Sequence, residues 1–190
     1  MSLDDFTRVA LSWHDFFLAT AGGAAALLGL LFVAVSLNLD DIARVDRLDL
    51  RLLAEQAFSN FLFALAVALF LLVPAPYANP ASVEGMLVSI GIVGLVRISR
   101  RARRALRHGR LAWGPLYIVR RLGAPAWANV CLLLAALLLA RADLGAFYWL
   151  LAGTFVFVLS AADSSWDLLI RVGAERQAER VASKGGHATG

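Results

Sequence analysis

Two groups of polar residues set inside apolar runs are the parts of this sequence that could do chemistry. In the run 50–73, Glu55, Gln56, Ser59 and Asn60 fall within one arc at helical spacing. In the run 144–170, Ser160, Asp163, Ser164 and Asp167 recur at i, i+3, i+4 and i+7, one narrow stripe. Hydroxyls, amides and carboxylates on one face can solvate a cation, pass a proton, or hydrogen-bond a neighbouring helix. An acid at the centre of a bilayer costs about 2.5–3.5 kcal/mol even on the lenient insertion scale, so its presence calls for a reason. Asp163 lies eight residues before Arg171, roughly 12 Å inward at the helical rise. Ser36, Asn38, Arg97 and Asn129 fall at similar depth in their own runs and complete a candidate intramembrane polar cluster.

The elements that must position these residues are transmembrane helices. Of the residues, 60% are hydrophobic and 17% charged, where soluble domains carry about 25% charged residues. Apolar runs long enough to cross a hydrocarbon core about 30 Å thick recur along the chain. The sequence predicts an all-α integral membrane protein, a bundle of about five helices over 15–39, 50–73, 81–98, 125–140 and 144–170. These make one transmembrane domain, 1–172, followed by a flexible tail, 173–190. The third segment has the shortest uncharged core, Gly85 to Val96, so four crossings plus one interfacial helix is the alternative. Residues up to His14 read as a polar and aromatic lead-in, and Trp13 and Phe147-Tyr148-Trp149 suit the interface. Ala21, Ala25 and Gly29 share a face of small residues expected to touch another helix. Pro74 and Pro76 read as a helix stop, and Pro125 as a first-turn proline. The acidic Ser2-Leu3-Asp4-Asp5 opening and the long first run suggest a retained membrane segment rather than a cleaved signal.

Charge gives the orientation. Between Arg97 and Arg121 there are nine arginines and no Asp or Glu. With five crossings, this loop (97–123), the 40–51 connector and the C-terminal tail hold all the Lys and Arg residues except Arg8 and Arg141. The positive-inside rule then places the loop and the C-terminus in the cytoplasm and the N-terminus on the other side of the membrane. Arg100, Arg101, Arg103, Arg104 and Arg107 are expected to meet anionic lipid headgroups. Nucleic acid is not an expected partner, because no aromatic-interleaved basic motif is present.

Enzyme chemistry has little to work with. His14, His108 and His187 all lie outside the apolar runs, and no HExxH, GxSxG or P-loop occurs. No catalytic residue, metal site or cofactor is expected. Cys131 stands alone within an apolar run, so it cannot form an intrachain disulfide and reads as a small core residue.

The polar cluster has two main readings. In one, Glu55 or Asp163 pairs with Arg97 and the amides bridge helices, leaving a scaffold or regulator that acts through helix contacts. In the other, the acids line a watery vestibule of a small ion or proton channel or carrier, with Glu84 at its outer mouth. Few helices are available to enclose a pore, so that reading expects a homo-oligomer. Plain solvation of the acids by headgroup water would make neither reading necessary. The run Gly29-Leu30-Leu31-Phe32-Val33-Ala34-Val35-Ser36-Leu37-Asn38-Leu39, with Trp166-Asp167-Leu168-Leu169, resembles small bacterial multi-pass membrane proteins, some labelled modulators of a membrane AAA protease. That resemblance implies a regulatory or interaction role with a membrane protein partner, and supplies no catalytic residues.

Overall fold

A computed structural model describes residues 3–39, 42, 48–73, 80–107 and 115–186. Among the described residues the chain forms six helices and no strand: α1 (Leu3–Ser12), α2 (His14–Leu37), α3 (Leu48–Leu71), α4 (Pro80–Arg107), α5 (Pro115–Ala140) and α6 (Ala146–Gly186). Five are long and apolar enough to cross a membrane, over His14–Leu37, Leu50–Leu71, Ala81–Arg103, Leu122–Ala140 and Ala146–Ala174. The protein is an all-α integral membrane protein of five candidate spans. The third apolar segment, short when judged by its uncharged core, belongs to the 28-residue helix α4.

The helices are not packed in chain order. α2 packs on α3, α3 on α6, α6 on α5 and α5 on α4, while α3 and α4 meet only lightly. The last span therefore sits in the middle. Phe32, Leu62, Ile92, Trp127, Phe155 and Leu159 point outward and are exposed. That pattern suits a lipid solvent, which costs an apolar side chain nothing. Gln56, Ser59, Asn60, Asn129, Thr154, Ser160 and Ser164 are buried instead. One core gathers Phe17, Val67, Leu87, Leu132 and Phe157, reaching Phe6 and Phe147. A second, at the arginine-rich end, joins Leu31 and Ile42 to Leu50, Leu53, Phe61, Leu168 and Val172.

Several expectations change. The lead-in is a helix, α1, whose Phe6 is 1% exposed and lies 5.9 Å from Phe147 between ring centroids. Trp13 stacks on Phe147 at 6.2 Å and meets Tyr148 edge-on at 5.6 Å. These rings hold α1 against the start of α6. On α2 the packed side is Phe17, Ala21, Ala24 and Leu31; Ala25 and Gly29, expected to share the contact with Ala21, are exposed. The larger Phe17 and Leu31 carry the interface, and the small-residue face turns outward. Pro125 lies inside α5 rather than in its first turn, because the helix already starts at Pro115. The expected tail from residue 173 is helical through Gly186. The Pro74–Asn79 stop, the His108–Gly114 break and His187 lie outside the described residues.

Between α5 and α6 the backbone closes in a Schellman turn. Asp143 donates its N–H to the Leu138 carbonyl at 2.9 Å and Ala142 to Leu139 at 2.9 Å, and the Asp143 carboxylate accepts from the Gly145 N–H at 2.8 Å. The left-handed position is occupied by Ala142, with φ 59°. A non-glycine residue there is strained by about 1–2 kcal/mol. Ala142→Gly should relieve that strain and raise stability by roughly 0.5–1 kcal/mol after the added unfolded-state entropy of glycine is subtracted. Denaturation in mixed detergent–SDS micelles would read this, and an unchanged or lower midpoint would contradict it.

Candidate functional site

The polar residues of α3 and α6 face one another because each group repeats on one side of its helix. Asn60 donates through Nδ2 to Ser160 Oγ at 3.1 Å, a buried bond between the two helices. Ser164 donates to the Ser160 carbonyl one turn back at 2.8 Å. Ser59 donates to the Glu55 carbonyl, which leaves its oxygen to accept from Arg101 Nη2 at 3.4 Å. Arg97, one turn before Arg101 on α4, lies 6.0 Å from the centre of the Phe63 ring. Phe63 in turn meets Phe157 edge-on at 5.7 Å. Two rungs thus join α4 to α3, Arg101 to Ser59 and Arg97 to Phe63.

Asn129 provides a different kind of contact. Its Nδ2 donates to the Pro125 carbonyl at 2.7 Å on its own helix, while its buried Oδ1 has no hydrogen-bond partner among the described residues. The amide lies flat against α4: a Cβ added to Gly94 would overlap it, and one added to Gly91 would meet Leu133 Cδ2 at 2.7 Å. Glycines at these two positions let α4 and α5 approach closely, the packing that small residues permit in lipid. Thr154 bonds back to the Leu150 carbonyl at 2.7 Å. A serine, threonine or asparagine that bonds to its own helix meets its hydrogen-bonding need locally and can stay in a dry interior.

The acids behave differently from the amides. Glu55 pairs with Arg51 on its own helix at 3.6 Å, and both side chains are substantially exposed. Asp163 is exposed and Asp167 half-buried, so the α6 stripe divides: Ser160 and Ser164 face the interior, Asp163 turns outward and Asp167 lies at the edge between them. Arg97, expected to meet an acid, meets Phe63 instead. The polar arginine contact with α3 comes from Arg101. Ser36 is exposed. Asn38 donates to the Ala34 carbonyl at 2.7 Å and closes the end of its own helix. Arg100 and Arg103 are exposed on α4. Arg104 and Arg107 stand on the same helix, with side chains outside the described residues. Among the described residues, no group of three or more His, Cys, Asp or Glu could hold a metal ion.

The structure therefore brings together Ser59, Asn60, Ser160 and Ser164 at the arginine-rich end of the bundle, with Gln56 buried one turn before Asn60 on α3. The expected set missed Gly94 and Arg101 as interior contacts. Gly91 and Gly94 are three residues apart on one face, which is the signal that could have found the α4–α5 contact. For the acid on α6, an outward position gives a direct expectation: Asp163→Asn should change stability by less than about 1 kcal/mol. A drop in micelle-denaturation midpoint equivalent to several times that would show that the carboxylate is structural.

Comparison with protein-family models, curated proteins and solved structures finds no match for the chain.

Proposed function

We infer that this protein is a non-enzymatic membrane scaffold or regulator that works by helix contact, with α2 as the contact element. One observation carries this reading. Of the 24 residues of α2, only Phe17, Ala21, Ala24 and Leu31 are buried. Among the described residues α2 stands at the end of the packing order, packing on α3 with only slight contact to α1 and α6. Its outward side presents Gly22, Ala25, Ala26 and Gly29, and a Cβ added at Gly22, Gly23 or Gly29 would meet nothing. In lipid, helices associate through close packing of such small residues rather than through apolar burial. The partner is a transmembrane helix of another membrane protein, in keeping with the regulatory role implied by the sequence resemblance. Buried Ser59, Asn60, Thr154, Ser160 and Ser164 bond to one another or to their own helices, which favours this reading over a hydrated ion path.

A photo-crosslinking residue at Gly22 or Ala26, with Phe155 on α6 as the lipid-facing control, tests it in intact membranes. Protein adducts at the α2 positions and lipid adducts alone at Phe155 are expected. Lipid adducts alone at all three positions would overturn the reading, and so would cation or proton flux through reconstituted wild-type protein that Asp163→Asn abolishes.

The orientation belongs to the same proposal. The arginine-rich end faces the cytoplasm of a bacterial inner membrane, with the C-terminus inside and the N-terminus outside. Reporters active on one side only, fused to each end, should give opposite signals. An N-terminal fusion active only in the cytoplasm would contradict five crossings with this orientation.

A further inference from the structure

We propose that the outer side of the α3–α4 seam is a binding site for one anionic phospholipid, its phosphate held by Arg97 and Arg101. The two arginines are one turn apart on α4 and both turn toward α3, where they meet Phe63 and Ser59, themselves one turn apart. Two contacts in the same antiparallel register mean that the guanidiniums are aligned along the seam rather than scattered over the surface. Arg97 is exposed, with its charge over an aromatic ring rather than a carboxylate. An arginine so placed presents planar N–H donors that match the geometry of a phosphate.

Charge and shape agree on the occupant. No Asp or Glu occurs from Arg97 to Arg121. Glu55, the acid on the neighbouring stretch of α3, is paired with Arg51. Arg100 is exposed on the same outer side as Arg97 and adds positive potential. Toward the membrane centre α3 and α4 carry exposed apolar side chains, Leu62, Leu69 and Val93, which helical spacing puts in line with the seam, Leu62 one turn from Ser59, Leu69 two turns further and Val93 one turn from Arg97. Because α3 and α4 meet only lightly, the seam is a shallow track along which an acyl chain can lie while the headgroup stays at the arginines. A free phosphate would use the arginines and leave the apolar track empty; a phospholipid uses both. Ser59 gives its proton to the Glu55 carbonyl and its oxygen to Arg101, which fixes the inner arginine before the lipid arrives.

The site differs from a diffuse basic surface in one measurable way. The full-length protein, in nanodiscs of mixed phosphatidylglycerol and phosphatidylcholine, is released in the gas phase and its retained lipids are weighed. Wild-type protein should retain a single phosphatidylglycerol in preference to phosphatidylcholine. R97Q/R101Q should lose about 30-fold of that preference, the equivalent of two arginines at a charged surface. R100Q/R103Q removes the same charge from outside the pair and should retain most of it. R97K/R101K keeps the charge without the planar fork and should fall between. Excess inorganic phosphate should not displace the lipid; displacement would assign the site to a free anion and overturn the lipid. Equal retention of the two lipids by wild-type protein, or equal loss in the two glutamine pairs, would also overturn the proposal. The wild-type comparison does not depend on any variant folding.

Discussion

Gly94→Leu is expected to disrupt the joint between α4 and α5. A Cβ at this position already overlaps the Asn129 amide. Asn129 is 1% exposed and tied to the Pro125 carbonyl, so its amide can turn aside only by breaking that bond inside a packed interior. Forcing extra carbons into a packed interior costs about 1–3 kcal/mol when the surroundings can adjust; leucine here should reach or exceed the top of that range. Gly91→Ala serves as the graded control. Its obstruction is the end of the flexible Leu133 side chain, which can rotate aside, so the loss should be well under that of Gly94→Leu. Denaturation midpoints in mixed micelles check both. Equal, small losses would mean that α4 and α5 do not approach as closely as their glycines permit.

The second large effect is expected at Asn129 itself. Asn129→Asp keeps the shape but replaces the N–H donor facing the Pro125 carbonyl with a carboxylate oxygen, and brings a charge into the interior. A charge near the middle of a span costs about 2.5–3.5 kcal/mol on the insertion scale, so stability should fall by about 3 kcal/mol at neutral pH. Asn129→Leu should do far less harm. It removes the amide together with the partnerless Oδ1, and replacing an unsatisfied polar group by an apolar one of similar size is close to neutral or favourable. The contrast between the two variants is the measurement. If aspartate is tolerated as well as leucine, water reaches Asn129 and the interior is wet.

Much of this architecture can be read from the chain because lipid imposes a simple rule. Long apolar runs mark spans, and all five segments become helices. What remains hidden is which side of each helix turns inward. In water a buried face is the apolar one; in lipid both faces can be apolar, so Ala25 and Gly29 looked like partners of Ala21 in an interface that Phe17, Ala24 and Leu31 share with Ala21 instead. The same limit applies to the α6 stripe. Spacing puts Ser160, Asp163, Ser164 and Asp167 on one side, but a stripe has width, and its edge divides buried serines from an exposed acid. α1 was legible in principle: Phe6, Val9, Ala10 and Trp13 recur at helical spacing in the lead-in. Its charged residues hid it. Pro125 misled because a proline fits the first turn of a helix, yet it can also be carried inside a membrane helix when its neighbours compensate.

The central position of α6 has a consequence for how the protein is made. Spans leave the ribosome in chain order, so α2, α3, α4 and α5 are all synthesised before the helix that joins them. Until α6 arrives, the closely packed pairs available to the nascent chain are α2 with α3 and α4 with α5, which touch each other only lightly across α3 and α4. Asn60 on the first pair still waits for Ser160, its hydrogen-bond acceptor. A chain cut short before residue 146 therefore leaves two halves joined only by the light α3–α4 contact, through Arg101 with Ser59 and Arg97 with Phe63. In such an unfinished chain the Asn60 amide lacks the α6 hydroxyl that accepts its hydrogen bond in the complete bundle.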